Sequence, residues 1–131
     1  MDSSVLLDVL TVDPAWSEWS GGMLATAGDD GRLVINPIIY AEVSAGFDRI
    51  EELDEAVPVS EFDREPLPYE AGFLAGKAFL AYRLRGGERR SPLPDFYIGA
   101  HAATREYRLL TRDAAHYRTS FPTLQLITPP D

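Results

Sequence analysis

Leu33-Val34-Ile35-Asn36-Pro37-Ile38-Ile39-Tyr40-Ala41-Glu42-Val43 is the stretch on which the fold turns. Its first four residues are short, apolar and β-branched, the composition of a strand buried on both faces of a parallel sheet. Pro37 cannot continue the strand's hydrogen bonding but suits the first turn of a helix. The spacing predicts a helix from Pro37 through Phe47, with Ile38, Ala41, Val43, Ala45 and Gly46 on its packed side. A strand running straight into a helix is half of a β-α-β unit, so the neighbouring segments should supply the rest.

They do so in both directions. Upstream, Ser4 to Leu10 reads as a helix with a serine near its cap, and Asp13-Pro14 reads as N-cap and first residue of a second helix that carries Trp19, Met23 and Leu24. Gly28-Asp29-Asp30-Gly31 reads as the turn that ends it. Downstream, residues 48–55 form an acidic short helix, and Val57 to Phe62 is a short strand or an extended connector. Tyr69 to Leu84 is a helix rich in small residues (Ala71, Gly72, Ala75, Gly76, Ala78) that permit close helix packing. Pro94 precedes a helix from Asp95 to about Tyr107, with Ile98, Ala102 and Ala103 as its apolar stripe. Arg108 to Thr111 and Leu124 to Ile127 are the remaining strands. Strands alternating with helices call for an α/β domain with a parallel sheet covered by helices. Such sheets place their working crevice at the carboxyl ends of the strands.

Four acidic residues fall at those strand ends or on the helices that leave them: Asp2, Glu42, Asp95 and Asp113. Taken singly, each fits an ordinary role. Asp95 and Asp113 suit helix caps, Glu42 an exposed helical position, and Asp2 a frayed terminus. Taken together they read as one pocket, because carboxylates that converge must bind a cation or shift their pKa values. An all-oxygen donor set without Cys or His partners suits Mg2+ or Mn2+, and such an ion serves phosphoryl chemistry. Ser3 and Ser4 lack a paired histidine that would make either a nucleophile, and Asp2 lacks the second aspartate two residues on that an aspartyl-phosphate phosphatase would need. His101 is expected on a partly exposed helix surface and His116 in a loop.

Composition bounds the rest. The 131 residues make one domain, 1–131, large enough to bury a core. There is no cysteine, so disulfides and thiolate metal sites are excluded. No apolar run is long enough for a membrane span and no leader is evident, which makes a cytoplasmic protein the expectation. A net charge of −9 opposes passive binding to a polyanion. Yet Lys77, Arg83, Arg85, Arg89 and Arg90 gather five of the twelve basic residues into one segment, a stripe suited to tracking a phosphate backbone.

The ordered set Asp2-Ser3-Ser4-Val5-Leu6-Leu7-Asp8, Tyr40-Ala41-Glu42-Val43, Asp95-Phe96-Tyr97-Ile98-Gly99-Ala100-His101-Ala102 and Leu109-Leu110-Thr111-Arg112-Asp113 resembles the motifs of PIN domains, and more narrowly those of VapC-type toxins. The closing Leu126-Ile127-Thr128-Pro129 fits as well, so the likeness covers nearly the whole chain. The resemblance implies a three-layer α/β/α domain and a Mg2+- or Mn2+-dependent endoribonuclease that leaves 3′-hydroxyl and 5′-phosphate ends. It also implies a cognate antitoxin as partner and assembly as a homodimer. By the same likeness Asp2, Glu42, Asp95 and Asp113 carry the metal, Ser4 supports the first aspartate, and Arg112 touches phosphate or packs. Members of the family deliver their first aspartate from a short apolar strand, whereas only Met1 precedes Asp2 here. Either the natural start lies further upstream, or the domain lacks its usual first strand and folds with an empty slot or a repaired sheet, and in the repaired case Asp2 is expected to be poorly placed. A rival expectation is a catalytically degenerate PIN-like module that binds a protein through Trp16, Trp19, Phe47, Phe73 and Phe79.

Overall fold

The computed structural model describes residues 1–86 and 93–129. Its elements run α1 (Ser3–Leu10), α2 (Ser17–Asp30), β1 (Leu33–Ile35), α3 (Pro37–Ser44), α4 (Ile50–Ala56), β2 (Phe62–Arg64), α5 (Tyr69–Leu84), α6 (Leu93–Thr104), β3 (Leu109–Leu110), α7 (Ala114–Ser120) and β4 (Leu126–Ile127). This is the mixed α/β order expected, with all strand pairing parallel. The sheet is divided, however. β1 pairs with β2 in the register Leu33↔Phe62, and β3 pairs with β4 in the register Leu109↔Leu126.

Met1 and Asp2 join the two halves. The Met1 ammonium donates to the Val34 carbonyl at 3.2 Å, and the Asp2 amide donates to the Leu110 carbonyl at 2.8 Å. These two residues thus stand between β1 and β3, on the line a central strand would follow. Asp2 is not poorly placed: the bond from its amide and the start of α1 anchor it from both sides. Burial drives the Met1 amine down to about 6, although the Asp2 charge opposes that shift. Beside Met1 lies a cavity of about 540 Å³, walled by Val34, Leu109, Leu110, Ile127 and His101 among others.

Local chemistry explains most element ends. Asn36 caps α3 by accepting from the Ile39 amide at 3.0 Å, and Pro37 follows at the first helical position. The buried face of α3 is Ile39 and Val43, while Ala41 and Ala45 are exposed, so the helix is rotated from the expected packing. α2 begins three residues after Pro14. The Asp13 carboxylate accepts from the amides of Ala15 and Trp16, which forms a capped turn ahead of the helix rather than its first turn. β2 starts at Phe62, where the expected extended segment ends, because residues 58–61 turn back on the Pro58 carbonyl. α6 opens at Leu93, so Asp95 sits in its first turn rather than at its start.

The core gathers Leu6, Ile35, Ile39, Leu53, Phe96, Ile98, Leu109 and Phe121. Of the small residues of α5, Ala71 and Ala75 are fully buried and α5 lies against α6, whereas Gly76 is exposed with open space around it. Gly99 is the tightest point, since a Cβ there would overlap the Phe121 ring. No helix among the described residues is long and apolar enough to cross a membrane.

Candidate metal centre

Each of the four acids reaches its place by a different element. Asp2 precedes α1 in an extended conformation, and its Oδ2 accepts from Ser4 Oγ at 3.2 Å and Thr111 Oγ1 at 2.7 Å. Thr111 follows β3 and is fully buried, and its Oγ1 also accepts from the Asp113 amide at 3.0 Å. One hydroxyl therefore ties the first acid to the last. Glu42, in the second turn of α3, accepts from Ser3 Oγ at 2.9 Å. Asp95 occupies the first turn of α6. Asp113 stands ahead of α7 but makes no side-chain capping bond, so its carboxylate is not spent on the helix.

Asp2, Asp95 and Asp113 line one cleft of about 500 Å³, together with Ser3, Ser4, Leu7, Arg112, His116 and Tyr117. Electrostatics report the crowding independently of the cleft's shape. The Asp95 carboxyl is pushed up to about 6, first by burial and then by the charges of Glu42, Asp2 and Asp113. The helix N-terminus would favour an anion at Asp95, so the burial and repulsion outweigh it. Tyr117 is raised far above its ordinary value, again chiefly by burial, with the same acids contributing. His116 is lowered by burial against the pull of Asp113 and Asp2. Its ring packs edge-on against Phe96 and Tyr117, and among the described residues its buried Nε2 has no hydrogen-bond partner.

The donor set fits a hard divalent cation. It consists of carboxylate and hydroxyl oxygens, and a positive charge at the cleft would offset the repulsion among the acids that adds to burial in holding Asp95 high. Among the described residues no three His, Cys, Asp or Glu side chains stand close enough together to hold an ion as they are.

The other expected residues divide. Ser4 supports Asp2 as expected. Arg112 lines the cleft, but its Nε pairs with Asp8 Oδ2 at 2.9 Å and its guanidinium lies over Trp16. Lys77, Arg83 and Arg85 are exposed on or just after α5, near the rings of Phe73, Phe79 and Tyr82 in turn, and none lines the cleft. Arg89 and Arg90 lie outside the described residues. Of the five aromatic residues expected to dock a partner, only Phe73 is well exposed; Trp16, Trp19, Phe47 and Phe79 are partly buried.

Both histidines depart from expectation. His101 is not a surface residue but 4% exposed, because α6 turns it inward between Asn36 and Glu65. The Asn36 oxygen is committed to capping α3, so its amide nitrogen donates to His101 Nδ1, and Nε2–H is left to donate to Glu65. His116 is not in a loop but on α7, facing the cleft. Sequence reasoning also passed over Thr111, Ser3 and Asp8. Thr111 lay inside a quoted motif, and its hydroxyl two residues before an acid was the available signal.

A family model described as "PIN domain" matches residues 1–122. The chain belongs to the PIN domain family. The PIN fold is shared with two solved structures. VapBC2 from Rickettsia felis, bound to a DNA fragment from its promoter, matches with a TM-score of 0.73 at 16% identity, over 96% of this chain and 94% of that one. VapBC-1 from nontypeable Haemophilus influenzae matches with a TM-score of 0.74 at 18% identity, over 97% of this chain and 94% of that one. No curated protein sequence matches the chain.

Proposed function

We propose that this PIN-domain chain is a Mg2+- or Mn2+-dependent endoribonuclease of the VapC type, the toxin of a toxin–antitoxin pair. The observation that carries the reading is the meeting of Asp2, Asp95 and Asp113 in one cleft, with Glu42 close enough for its charge to act on Asp95. In this reading Asp2, Asp95 and Asp113 hold the ion, and Glu42 binds it or orients a water. When bound, such an ion lowers the pKa of water and offsets charge on a phosphodiester. Ser4 and Thr111 fix the Asp2 carboxylate, and Ser3 fixes that of Glu42, so these acids are oriented before substrate arrives. Arg112 contributes positive charge for a non-bridging phosphate oxygen.

In this reading the RNA backbone follows the end of α5. Phe79 and Tyr82 lie about 5.4 Å and 5.5 Å from the Phe96 ring, next in sequence to Asp95. In this reading Arg83 and Arg85, at the end of α5, would meet the RNA backbone outside the acid cleft, with Lys77 one to two turns back and Arg89 and Arg90 as further candidates. Tyr69, Phe73, Leu80 and Leu84 recur at helical spacing on α5 and are exposed, a stripe suited to an amphipathic helix of an antitoxin. The two VapBC structures support a partner of that kind, and a homodimer belongs to the same reading. A degenerate binding module would use the same stripe without the cleft.

Cleavage of a mixed RNA by the purified chain tests the proposal. Strand scission is expected with Mn2+, to be stopped by EDTA and by Asp113→Asn. Cleavage that survives either treatment, or none in wild type with Mn2+, would overturn it.

A further inference from the structure

Among the described residues lining the acid cleft, Arg112 is the one with a permanent positive charge. A guanidinium beside Asp2, Asp95 and Asp113 would be expected to fall onto them, and there it would compete with any divalent ion. It does not do so. Its Nε lies 2.9 Å from Oδ2 of Asp8, and its central carbon is 5.5 Å from the centroid of the Trp16 ring. Asp8 belongs to α1 and is only 2% exposed. The same Oδ2 accepts from Ser20 Oγ of α2 at 2.9 Å, and the Asp8 carbonyl accepts from the Asp13 amide at 2.9 Å, closing the turn that presents Trp16.

Burying a carboxylate is costly unless it is paired, and a pair of apolar residues would stabilise the same space as well or better. The partner that Asp8 takes is an exposed side chain that also lines the acid cleft. Asp8 engages the guanidinium through Nε, and the Nη groups form no hydrogen bond with another described residue.

We propose that Asp8 is a positioning residue. With Ser20 and Trp16 it holds Arg112 back from the acids, so that the cleft stays open to a divalent cation and the Nη edge is presented to a phosphate oxygen of the RNA. The inference rests on the nuclease reading and adds to it a device that keeps one cation from displacing another.

The test uses the full chain and two readouts that need no catalysis. One is the rise in melting temperature on Mn2+ titration, and the other is the affinity for a short fluorescent RNA measured with Ca2+ in place of Mn2+. Asp8→Asn keeps the shape and the acceptor for Ser20 but removes the charge. It is expected to raise the Mn2+ midpoint by about fivefold or more, as the freed guanidinium turns to the acids. Combining it with Arg112→Ala should return the Mn2+ midpoint to that of wild type, a rescue that a merely structural Asp8 would not permit. RNA affinity should fall by about three- to tenfold in Asp8→Asn and no further in the double variant. An Mn2+ midpoint unchanged in Asp8→Asn, or no rescue by Arg112→Ala, overturns the proposal while leaving the nuclease reading intact. A wild type that answers neither Mn2+ nor RNA removes that reading and this one with it. Should Asp8→Asn not fold, Trp16→Leu carries the test: an RNA affinity reduced about threefold supports the device, and an unchanged one overturns it.

Discussion

Two cavities of nearly equal size adjoin the first two residues, and their polar groups are treated in opposite ways. The one of about 540 Å³ is lined by Met1, and the one of about 500 Å³ by Asp2. In the first, Asn36, Glu65, His101 and Tyr107 are hydrogen-bonded to one another. Glu65 accepts from His101 at 3.2 Å and from the Tyr107 hydroxyl at 2.5 Å, while Asn36 serves both His101 and the start of α3. Burial lowers the His101 pKa despite Glu65, so the imidazole is neutral and the contact is a hydrogen bond rather than an ion pair at neutral pH. In the second, three carboxylates meet, and the nearby guanidinium is engaged by Asp8. The histidine–carboxylate contact is closed on both sides by Asn36 and Tyr107. The unbalanced charge lies in the other cavity, and chemistry is to be sought there.

Substitutions on the two sides should separate cleanly. Asp95→Asn is expected to cut Mn2+-dependent RNA cleavage by about 10²–10³-fold or more, measured as single-turnover rate. Glu65→Ala should leave that rate near wild type but lower stability by about 1–3 kcal/mol in urea unfolding, because the buried His101 Nε2–H loses its acceptor. Equal losses of activity in both variants would erase the distinction. A smaller effect concerns the divided sheet. Placing Val-Ile-Val ahead of Met1 should fill the space between β1 and β3, remove the buried ammonium and raise stability by about 1–3 kcal/mol without altering the Mn2+ response. A destabilised product would mean that the cavity does not accept a strand.

The smallest effect is one of pH. The Asp95 carboxyl has a folded pKa of about 6 against an ordinary 3.8, so the native state binds the proton more tightly. The associated stability is fully present below 3.8 and is lost as pH rises through about 6. Asp95→Asn should therefore stabilise the metal-free protein above pH 6 by about 1 kcal/mol, a figure reduced for solvent screening at this half-exposed group. The gain should vanish below pH 4. A variant that is less stable than wild type at pH 8 would show that Asp95 acts as a helix cap.

Local signals were readable where the chain itself supplies the partner. Val34 and Ile35 before Pro37 announced β1 and α3 within a few residues, although Asn36, expected to end the strand, caps α3 instead. Asp2, Asp95 and Asp113, which line one cleft, each stand just before a helix or in its first turn, whereas Glu42 lies further along α3. What stayed hidden depends on contacts between distant segments. Nothing around His101 records that Asn36 and Glu65 enclose it, since those contacts span 65 and 36 residues. Thr111 binds Asp2 across 109 residues, and Asp8 meets Arg112 across a comparable span. A repaired sheet was one of the open alternatives, but that Met1 and Asp2 bridge β1 and β3 could not be read, because a two-residue bridge has no periodicity to detect.

Thermal unfolding of the metal-free chain at pH 7.5, repeated across a Mn2+ titration, bears most directly on whether the acids form one cation site. Preferential binding to the folded state should raise the melting temperature with Mn2+ concentration, and Asp95→Asn and Asp113→Asn should each abolish the rise. A wild type indifferent to Mn2+, or a rise that persists undiminished in either variant, would contradict the account.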